Sequence, residues 1–235
     1  MLLARVDAQD LAAANGNANP KTLPALHATA RRRCFLATKR AIDILAASAL
    51  LAFLAPLMSV VAIFVAIDGG PVLFRHQRSG RGGAVFDCLK FRTMIADAEE
   101  TFEEYLSYHP EARPDWDADR KLRFDPRLTA IGRVLRTSSL DELPRLLNVL
   151  RGDMSLVGPR AITVPEVALY GDRLHLYQSL RPGLTGLWHV SGLKNADLGA
   201  RVALDERYVL GVDLLLDLSI LLRTIPALLR RRGAR

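Results

Sequence analysis

The sequence predicts an α+β fold that is mostly helical and attached to a membrane, and three observations indicate it. Residues 44–67 carry no charged side chain, and this run exceeds the roughly 20 residues that a bilayer-crossing helix needs. Two short runs of β-forming residues flank the segment "SGRGG", which is typical of a β-hairpin. Most of the remaining segments favour helices, and the last has an apolar side. A chain of 235 residues is long enough for one or two domains.

We expect three parts along the chain. Residues 1–30 are rich in Ala and Asn and predict a flexible tail. Residues 31–70 hold a basic flank and the apolar run, and residues 71–235 are expected to form a cytosolic, membrane-associated domain. The two cysteines, Cys34 and Cys88, are too few for a disulfide framework, so reduced thiols are expected.

The charge balance narrows the class of partner. A net charge of +7 indicates an anionic partner, which is a nucleic acid, an anionic lipid or a phosphorylated substrate. Nucleic-acid binding is disfavoured, because the chain has the long uncharged run and lacks interleaved aromatic and basic residues. We therefore expect no nucleic-acid partner.

The flanks of the apolar run favour a re-entrant helix over a spanning one. Cations stand on both sides, and the positive-inside rule places both groups on the cytoplasmic face. Pro56 lies near the middle, where proline breaks or kinks a helix, and Ser48 or Ser59 could bond the freed carbonyl. An ordinary spanning anchor is the alternative. The cations before the run are Arg31, Arg32, Arg33, Lys39 and Arg40, and those after it are Arg75, Arg78, Arg81, Lys90 and Arg92.

The predicted hairpin, "PVLFRHQRSGRGGAVFDCLKFRTM", combines glycines with basic side chains. Arg78, Arg81, Lys90 and Arg92 cluster around it, and a glycine-rich backbone with cations suits phosphate binding. A solvated basic hairpin beside lipid headgroups is an equal alternative.

The segments that follow are interpreted as a surface helix with an acidic face ("ADAEETFEEYLSYH"), a polar connector ("PDWDADRKLRFDPR"), a short helix ("LTAIGRVLR"), a helical segment ("VPEVALYGDRLHLYQSL"), a loop or short strand ("RPGLTGLWHVSG") and a last helix ("LLLDLSILLRTIPALLRRR") that is either interfacial or part of the core.

Two adjacent carboxylates, Asp141 and Glu142, stand before a short apolar helix in "TSSLDELPRLLNVLRGDMSLVGPR". Ser139 and Glu142 match a capping box, or Asp141 itself caps and Pro144 falls in the first turn. In either case a positive helix end would favour the ionised carboxylates. Spacing alone leaves capping and catalysis as equal interpretations.

Taken together, these motifs resemble the bacterial sugar transferases, which are monotopic polyprenyl-phosphate phosphoglycosyl transferases. The resemblance covers residues 39–230, and its carriers are "KRAID", the hairpin, "DPRLTAIGRVLRTSSLDELPRLLNVLRGDMSLVGPR" and "RPGLTGLWHVSG" in this order. The chain is similar to the small form of the family, without the multi-helix region of some relatives.

The resemblance implies transfer of a sugar 1-phosphate from a UDP-sugar to a membrane polyprenyl phosphate, with release of UMP and use of Mg²⁺. It also implies that the protein is attached to the cytoplasmic face of the bacterial inner membrane and contacts the lipids there. Asp141 is expected to be the nucleophile, and Asp141 and Glu142 are expected to bind the metal. A homo-oligomer is left open, and the transferred sugar is not revealed, although a hexose is favoured.

The substrate-binding residues expected from the resemblance and the charge pattern are Arg78, Lys90, Arg92, Pro159 and Arg160. Asp153 is a candidate metal ligand or a turn former. Three residues depart from the family pattern: Ala55 precedes Pro56 where Ser is common, His189 replaces Gln, and Leu193 replaces Arg. A rival hypothesis is a degenerate, membrane-attached scaffold for polysaccharide machinery, but the intact carboxylate pair argues against it.

Overall fold

The computed structural model describes residues 30–114, 116, 122, 124–192 and 198–231. Residues 1–29 of the expected tail, half of the polar connector and Leu193 lie outside these residues. The described part is mostly helical, as predicted, and has two small sheets, of which only the hairpin was predicted. Its elements are α1 (Ala30–Ile67), β1 (Leu73–Ser79), β2 (Val85–Phe91), α2 (Ala98–Tyr108), α3 (Ala130–Ser138), α4 (Arg145–Arg151), β3 (Ser155–Val157), α5 (Leu174–Tyr177), β4 (Gly183–Thr185), α6 (Leu187–Val190), α7 (Leu198–Leu210) and α8 (Leu214–Arg231), with 3₁₀ turns at Arg81–Gly83, Pro110–Ala112, Leu140–Glu142 and Pro165–Arg173.

Helix α1 carries the apolar run, and its secondary structure continues through Pro56. Within the described residues, its Arg32–Ile67 part alone is long and apolar enough to cross a membrane. The Ser59 hydroxyl donates to the carbonyl of Ala55 at 2.9 Å, and not to that of Ala52, which the proline leaves without its helical N–H. Most of the run is exposed, which is compatible with membrane attachment.

Strands β1 and β2 pair in a two-stranded sheet, so the predicted hairpin is confirmed. Its loop turns through Gly82 and Gly83 at φ angles of 68° and 80°, a region that favours glycine. The Gly82 amide donates to Gln178 O at 2.8 Å, and the Gly83 amide donates to Gly80 O at 3.2 Å. Because these amides already bond carbonyls of the chain, they form a rigid loop rather than a phosphate cradle.

The described residues form two compact units, and α1 and the hairpin contribute to both. One unit contains residues 53–75 and the described residues of 89–144. Its core is built from Val61, Val65, Phe91 and Leu135. Helix α3 is capped by Thr129, whose hydroxyl accepts the Gly132 amide at 2.9 Å. A Cβ on Gly132 would lie 2.0 Å from Thr93 O, so the helix can approach that backbone only at a glycine.

The other unit contains the described residues of 30–52, 76–88 and 145–231. Strands β3 and β4 pair in parallel, with Ser155 opposite Gly183 and Val157 opposite Thr185. A buried ion pair joins Lys39 Nζ of α1 to Asp217 Oδ2 of α8 at 2.5 Å. This contact ties the first turns of α1 to the last helix.

The segments after β3 differ partly from the prediction. The predicted helical segment begins as a 3₁₀ turn, Pro165–Arg173, which is interrupted at Gly171 (φ 46°), and continues as α5. Helix α8 buries Ile220 but exposes 78% of Leu215 and 63% of Leu222. An apolar exposed side is compatible with the interfacial interpretation of this helix.

Candidate active site

The two adjacent carboxylates lie on a 3₁₀ turn, Leu140–Glu142, between α3 and α4. Ser139 ends α3 in the left-handed region (φ 60°), and its side chain makes no capping bond. The predicted capping box is therefore wrong. Helix α4 begins at Arg145, directly after Pro144, so neither carboxylate stands in its first turn. The expected benefit from a helix dipole is absent at the pair as well.

Instead, a lysine from β2 holds the pair. Lys90 Nζ lies 3.4 Å from Asp141 Oδ2 and 3.2 Å from Glu142 Oε1. The Asp141 side chain is 10% exposed, whereas those of Glu142 and Lys90 are 30% and 27% exposed. One cation thus bridges two anions at a site that solvent still reaches. The structure brings together three of the predicted site residues here.

The donor set of this pair fits Mg²⁺. The ion prefers carboxylate oxygens, and in phosphoryl-transfer sites it takes one or two of them together with water and substrate phosphates. Asp141 and Glu142 supply two such groups. Among the described residues, the pair included, no group of three or more His, Cys, Asp or Glu side chains is placed to hold a metal ion. The two carboxylates would therefore hold the ion only together with the substrate.

Arg92, from the residue after β2, serves the end of α1. Its Nη2 donates to Val65 O at 2.8 Å, and a Cβ on Gly70 would lie 2.5 Å from its Nη1. A guanidinium that bonds one of the last carbonyls of a helix stabilises that helix end. The structure thus gives Arg92 a role in the fold, and diphosphate binding by Arg92 stays a prediction.

A second cluster, which we call the arginine cluster, is formed by Arg78, Arg160 and Glu166. Arg78 Nη1 and Arg160 Nη2 lie 3.8 Å and 3.9 Å from the two oxygens of Glu166. Burial opposes ionisation of Glu166, but the amide and hydroxyl of Thr163 and the two arginines outweigh it and lower its pKa. Arg78 also donates to Ala161 O at 3.0 Å, and burial lowers its pKa. Two cations here share one anion.

The bend that carries Arg160 is fixed through its backbone. The Arg160 amide donates to Asp205 Oδ1 at 3.1 Å, and the Gly183 amide donates to Pro159 O at 2.8 Å. The Tyr170 hydroxyl donates to Asp205 Oδ2 at 2.8 Å. Burial raises the pKa of Asp205 to about 6, against the opposing effects of Tyr170 and Arg160. Pro159 thus lies at a locked turn, beside the predicted Arg160.

Sequence reasoning missed Glu166, Tyr170 and Asp205. A signal for Asp205 exists in "RVALDERYVL", where it stands three residues after Val202 and three before Tyr208. Val202, Asp205 and Tyr208 all lie on the buried side of α7, where an ionisable residue needs a partner.

Two further candidates have structural contacts. Asp153 accepts from Asn148 Nδ2 at 3.0 Å and its amide donates to Asn148 O, as a turn former does. The ring of His189 stacks at a tilt on Trp188, with centroids 4.8 Å apart. The Trp188 ring also lies 5.3 Å from Arg160 Cζ, so a departure from the family pattern adjoins the arginine cluster.

Comparison with known proteins tests the resemblance. Residues 34–231 match the bacterial sugar transferase family. The chain is 47% identical over 197 residues to the exopolysaccharide production protein ExoY of Rhizobium meliloti, covering 83% of this chain and 87% of that one. It is 47% identical to an undecaprenyl-phosphate galactose phosphotransferase of Salmonella typhimurium, covering 83% of this chain but 41% of that one.

A UDP-glucose:undecaprenyl-phosphate glucose-1-phosphate transferase of Caulobacter vibrioides is 42% identical, with 83% of this chain and 71% of that one covered. The family match therefore spans nearly all of the described residues, including those of the carboxylate pair and the arginine cluster. The chain belongs to the bacterial sugar transferase family.

Proposed function

We propose that this chain transfers a sugar 1-phosphate from a UDP-sugar to a membrane polyprenyl phosphate, releasing UMP, as the first membrane step of exopolysaccharide synthesis. The observation that carries the proposal is the Asp141–Glu142 pair bridged by Lys90 at 3.4 and 3.2 Å. The names of the relatives in Salmonella typhimurium and Caulobacter vibrioides, which specify undecaprenyl phosphate as the acceptor, support it.

The reaction proceeds in two displacements. First, an Asp141 carboxylate oxygen forms a bond to the β-phosphorus of the UDP-sugar, and the bond between that phosphorus and the bridging oxygen breaks. The bridging oxygen and its electron pair leave with UMP. In the second step a phosphate oxygen of the polyprenyl phosphate attacks the same phosphorus, and the Asp141 carboxylate leaves. The products are UMP and a polyprenyl diphosphate sugar, and neither step requires an external proton.

The surrounding residues reduce repulsion between the anionic nucleophile and the anionic donor. Bound Mg²⁺ would neutralise charge on the diphosphate, held by Asp141 and Glu142. Lys90 contacts both carboxylates and orients them before substrate arrives. Arg160 and Arg78 are proposed to bind phosphate oxygens, because guanidinium groups match phosphate geometry.

A UMP-release assay with a panel of UDP-sugars tests this function. The purified full chain should release UMP only when a UDP-sugar, a polyprenyl phosphate and Mg²⁺ are all present. Chelation of the metal should stop release. Failure with every UDP-sugar tested, from folded protein, would instead favour the degenerate scaffold.

We further propose that the chain is re-entrant and faces the cytoplasm at the inner membrane. The support is the presence of cations on both flanks of residues 44–67, together with Pro56 near the middle. Single cysteines in the tail and at the exposed Ser107, in a background without Cys34 and Cys88, report the sidedness through an impermeant thiol reagent. Both should stay unlabelled on intact cells and react after the membrane is opened.

Labelling of the tail cysteine alone would show a spanning helix and overturn the re-entrant arrangement. Pro56→Leu provides the matched variant, because an apolar helix of this length without a proline near its middle prefers to cross the bilayer. A fraction of that variant should then expose the tail cysteine on intact cells.

A further inference from the structure

A pocket with cationic walls lies in the unit that contains the first turns of α1. Its lining includes Lys39 and Arg40 of α1, Arg81 of the hairpin loop, and Arg181 before β4. Asp43 is the carboxylate in this lining. Four cations against one anion give the pocket a net positive charge.

The two inner guanidinium groups bond neutral carbonyls. Arg40 donates from Nη1 to Val149 O at 2.6 Å and from Nη2 to Leu150 O at 2.9 Å. Arg181 Nε donates to Gly152 O at 2.7 Å. A Cβ on Gly152 would lie 3.5 Å from Arg40 Nη2 and 4.0 Å from Arg181 Nη2, so the two groups are neighbours. Carbonyls fix the positions of these cations but do not cancel their charge.

Two carboxylates near the pocket offset part of this charge, and cations remain in excess. Asp43 accepts the Ser155 hydroxyl at 2.7 Å and the Leu156 amide at 3.1 Å, and Asp217 pairs with Lys39. The pKa of Arg181 is lowered by burial and by the nearby charges of Arg40 and Arg81, with Asp43 opposing. A cation whose neighbours repel it in this way gains from a bound anion.

A polar atom in the pocket also calls for a ligand. Ser179 is one of its lining residues, and the buried hydroxyl of this residue has no hydrogen-bond partner within the described residues. Buried hydroxyls are normally bonded. Leu36 and Leu180 add an apolar wall beside the cations. The lining therefore combines guanidinium groups, a hydroxyl and hydrocarbon, a set that matches a phosphate carrying an apolar chain.

The position along α1 gives the pocket access to lipid. The α1 residues that line it, from Leu36 to Asp43, directly precede the apolar run at residues 44–67. Since a helix rises about 1.5 Å per residue, the pocket lies within about one or two turns of the start of that run. Under the proposed membrane attachment this is the level of the lipid headgroups.

We propose that this pocket binds the phosphate of a membrane lipid, through Arg81, Arg181 and Ser179. Two lipids share this chemistry: the polyprenyl phosphate acceptor and an anionic phospholipid such as phosphatidylglycerol. The inference relies on the proposed membrane attachment but not on the transfer reaction, so it is tested by binding in the absence of a UDP-sugar.

The experiment titrates the full chain in a neutral detergent with phosphatidylglycerol, with a short polyprenyl phosphate and with zwitterionic phosphatidylcholine, and measures bound lipid by native mass spectrometry. Arg81→Gln is the main variant, because Arg81 is exposed and its loss leaves the core intact. Ser179→Ala removes the hydroxyl. Arg151→Gln is the matched control, an exposed arginine of the same unit that does not line the pocket.

Arg81→Gln should weaken binding of at least one anionic lipid roughly tenfold, which corresponds to about 1.4 kcal/mol, and Ser179→Ala should weaken the same lipid. Arg151→Gln should bind as the wild type does. Loss confined to the polyprenyl phosphate identifies an acceptor site, and loss confined to phosphatidylglycerol identifies a headgroup site. The proposal is overturned if Arg81→Gln and Arg151→Gln bind both anionic lipids with equal affinity. It is also overturned if the wild type binds the anionic lipids no more tightly than it binds phosphatidylcholine. Both outcomes hold whether or not UMP is released in the transfer assay.

Discussion

The carboxylate pair and the arginine cluster are built with opposite charge ratios. At the pair, one lysine ammonium bridges two carboxylates, Asp141 and Glu142. In the arginine cluster, two guanidinium groups share the single carboxylate of Glu166. In these contacts two carboxylates meet one cation at the first site, and two cations meet one carboxylate at the second. Under the proposed function, the first site would bind a metal cation and the second would bind phosphate oxygens.

The two regions also differ in how firmly their charges are held. Lys90 reaches the pair through a flexible side chain and is partly exposed, so a metal ion can share or displace its contacts. Arg160 instead lies on a backbone that bonds the buried Asp205, while Arg78 bonds the carbonyl of Ala161. The comparison implies that changes at the pair alter chemistry, whereas changes around Arg160 alter substrate binding.

Asp141→Asn should have the largest effect, with loss of measurable UMP release. The amide keeps the shape of the side chain but cannot act as an anionic nucleophile. Membrane attachment and the thermal midpoint in detergent should stay close to those of the wild type. Asp172→Asn, at an exposed carboxylate, is the control. Near-normal release by folded Asp141→Asn would remove the nucleophile assignment.

Arg160→Gln should have an intermediate effect. Loss of one charge-assisted contact to the diphosphate costs roughly 1.5–3 kcal/mol, which corresponds to a loss in kcat/KM of about 10- to 150-fold. Added Mg²⁺ should restore only part of it, because the ion and the guanidinium bind different oxygens. Steady-state kinetics with varied UDP-sugar measures the change.

The control for Arg160 is Arg173→Gln, which breaks a different arginine–carboxylate pair, with Glu206 at 3.2 Å, in the same unit. Arg160→Lys should recover part of the loss, since it restores the charge without the planar fork. Equal kinetics for Arg160→Gln and the Arg173 control would show that Arg160 has no contact with the substrate.

Much of this architecture could be predicted from the sequence, because periodic patterns and glycines report local structure. The long α1, the hairpin and α3 were predicted from apolar runs and from "SGRGG". The three-residue strands β3 and β4 are too short to show a period, and their parallel pairing is set by tertiary contacts. The capping-box prediction failed because Ser139 ends the preceding helix in a left-handed conformation, a backbone choice that the motif does not encode.

The site shows the same division. The family resemblance and the charge pattern predict Asp141, Glu142 and Lys90 as site residues, and their roles in the reaction stay predictions. The contacts of Lys90 with the pair and the bond of Arg92 to Val65 O could not be predicted, because they depend on where the chain packs in three dimensions. Asp205 lies 45 residues from Arg160 in sequence, and only the folded chain brings the two together.

Asp205→Asn should have the smallest effect on activity and should show how the arginine cluster depends on pH. The amide can keep both bonds, accepting from the Arg160 amide and donating to the Tyr170 hydroxyl, so kcat should change only a few-fold.

In the wild type the pKa of Asp205 is raised to about 6, above the roughly 3.9 of an unfolded Asp. The folded protein therefore holds this proton more tightly than the unfolded chain does. The resulting stabilisation of the folded state is fully present below about pH 4 and is lost as the pH rises through 6. This loss lowers the free energy of unfolding by about 3 kcal/mol. The variant has no such proton, so its thermal midpoint relative to the wild type should rise between pH 4.5 and pH 7.5. A constant difference in midpoint across that range would show that Asp205 is ionised at both pH values, and that the turn at Arg160 is held by a charged rather than a neutral acceptor.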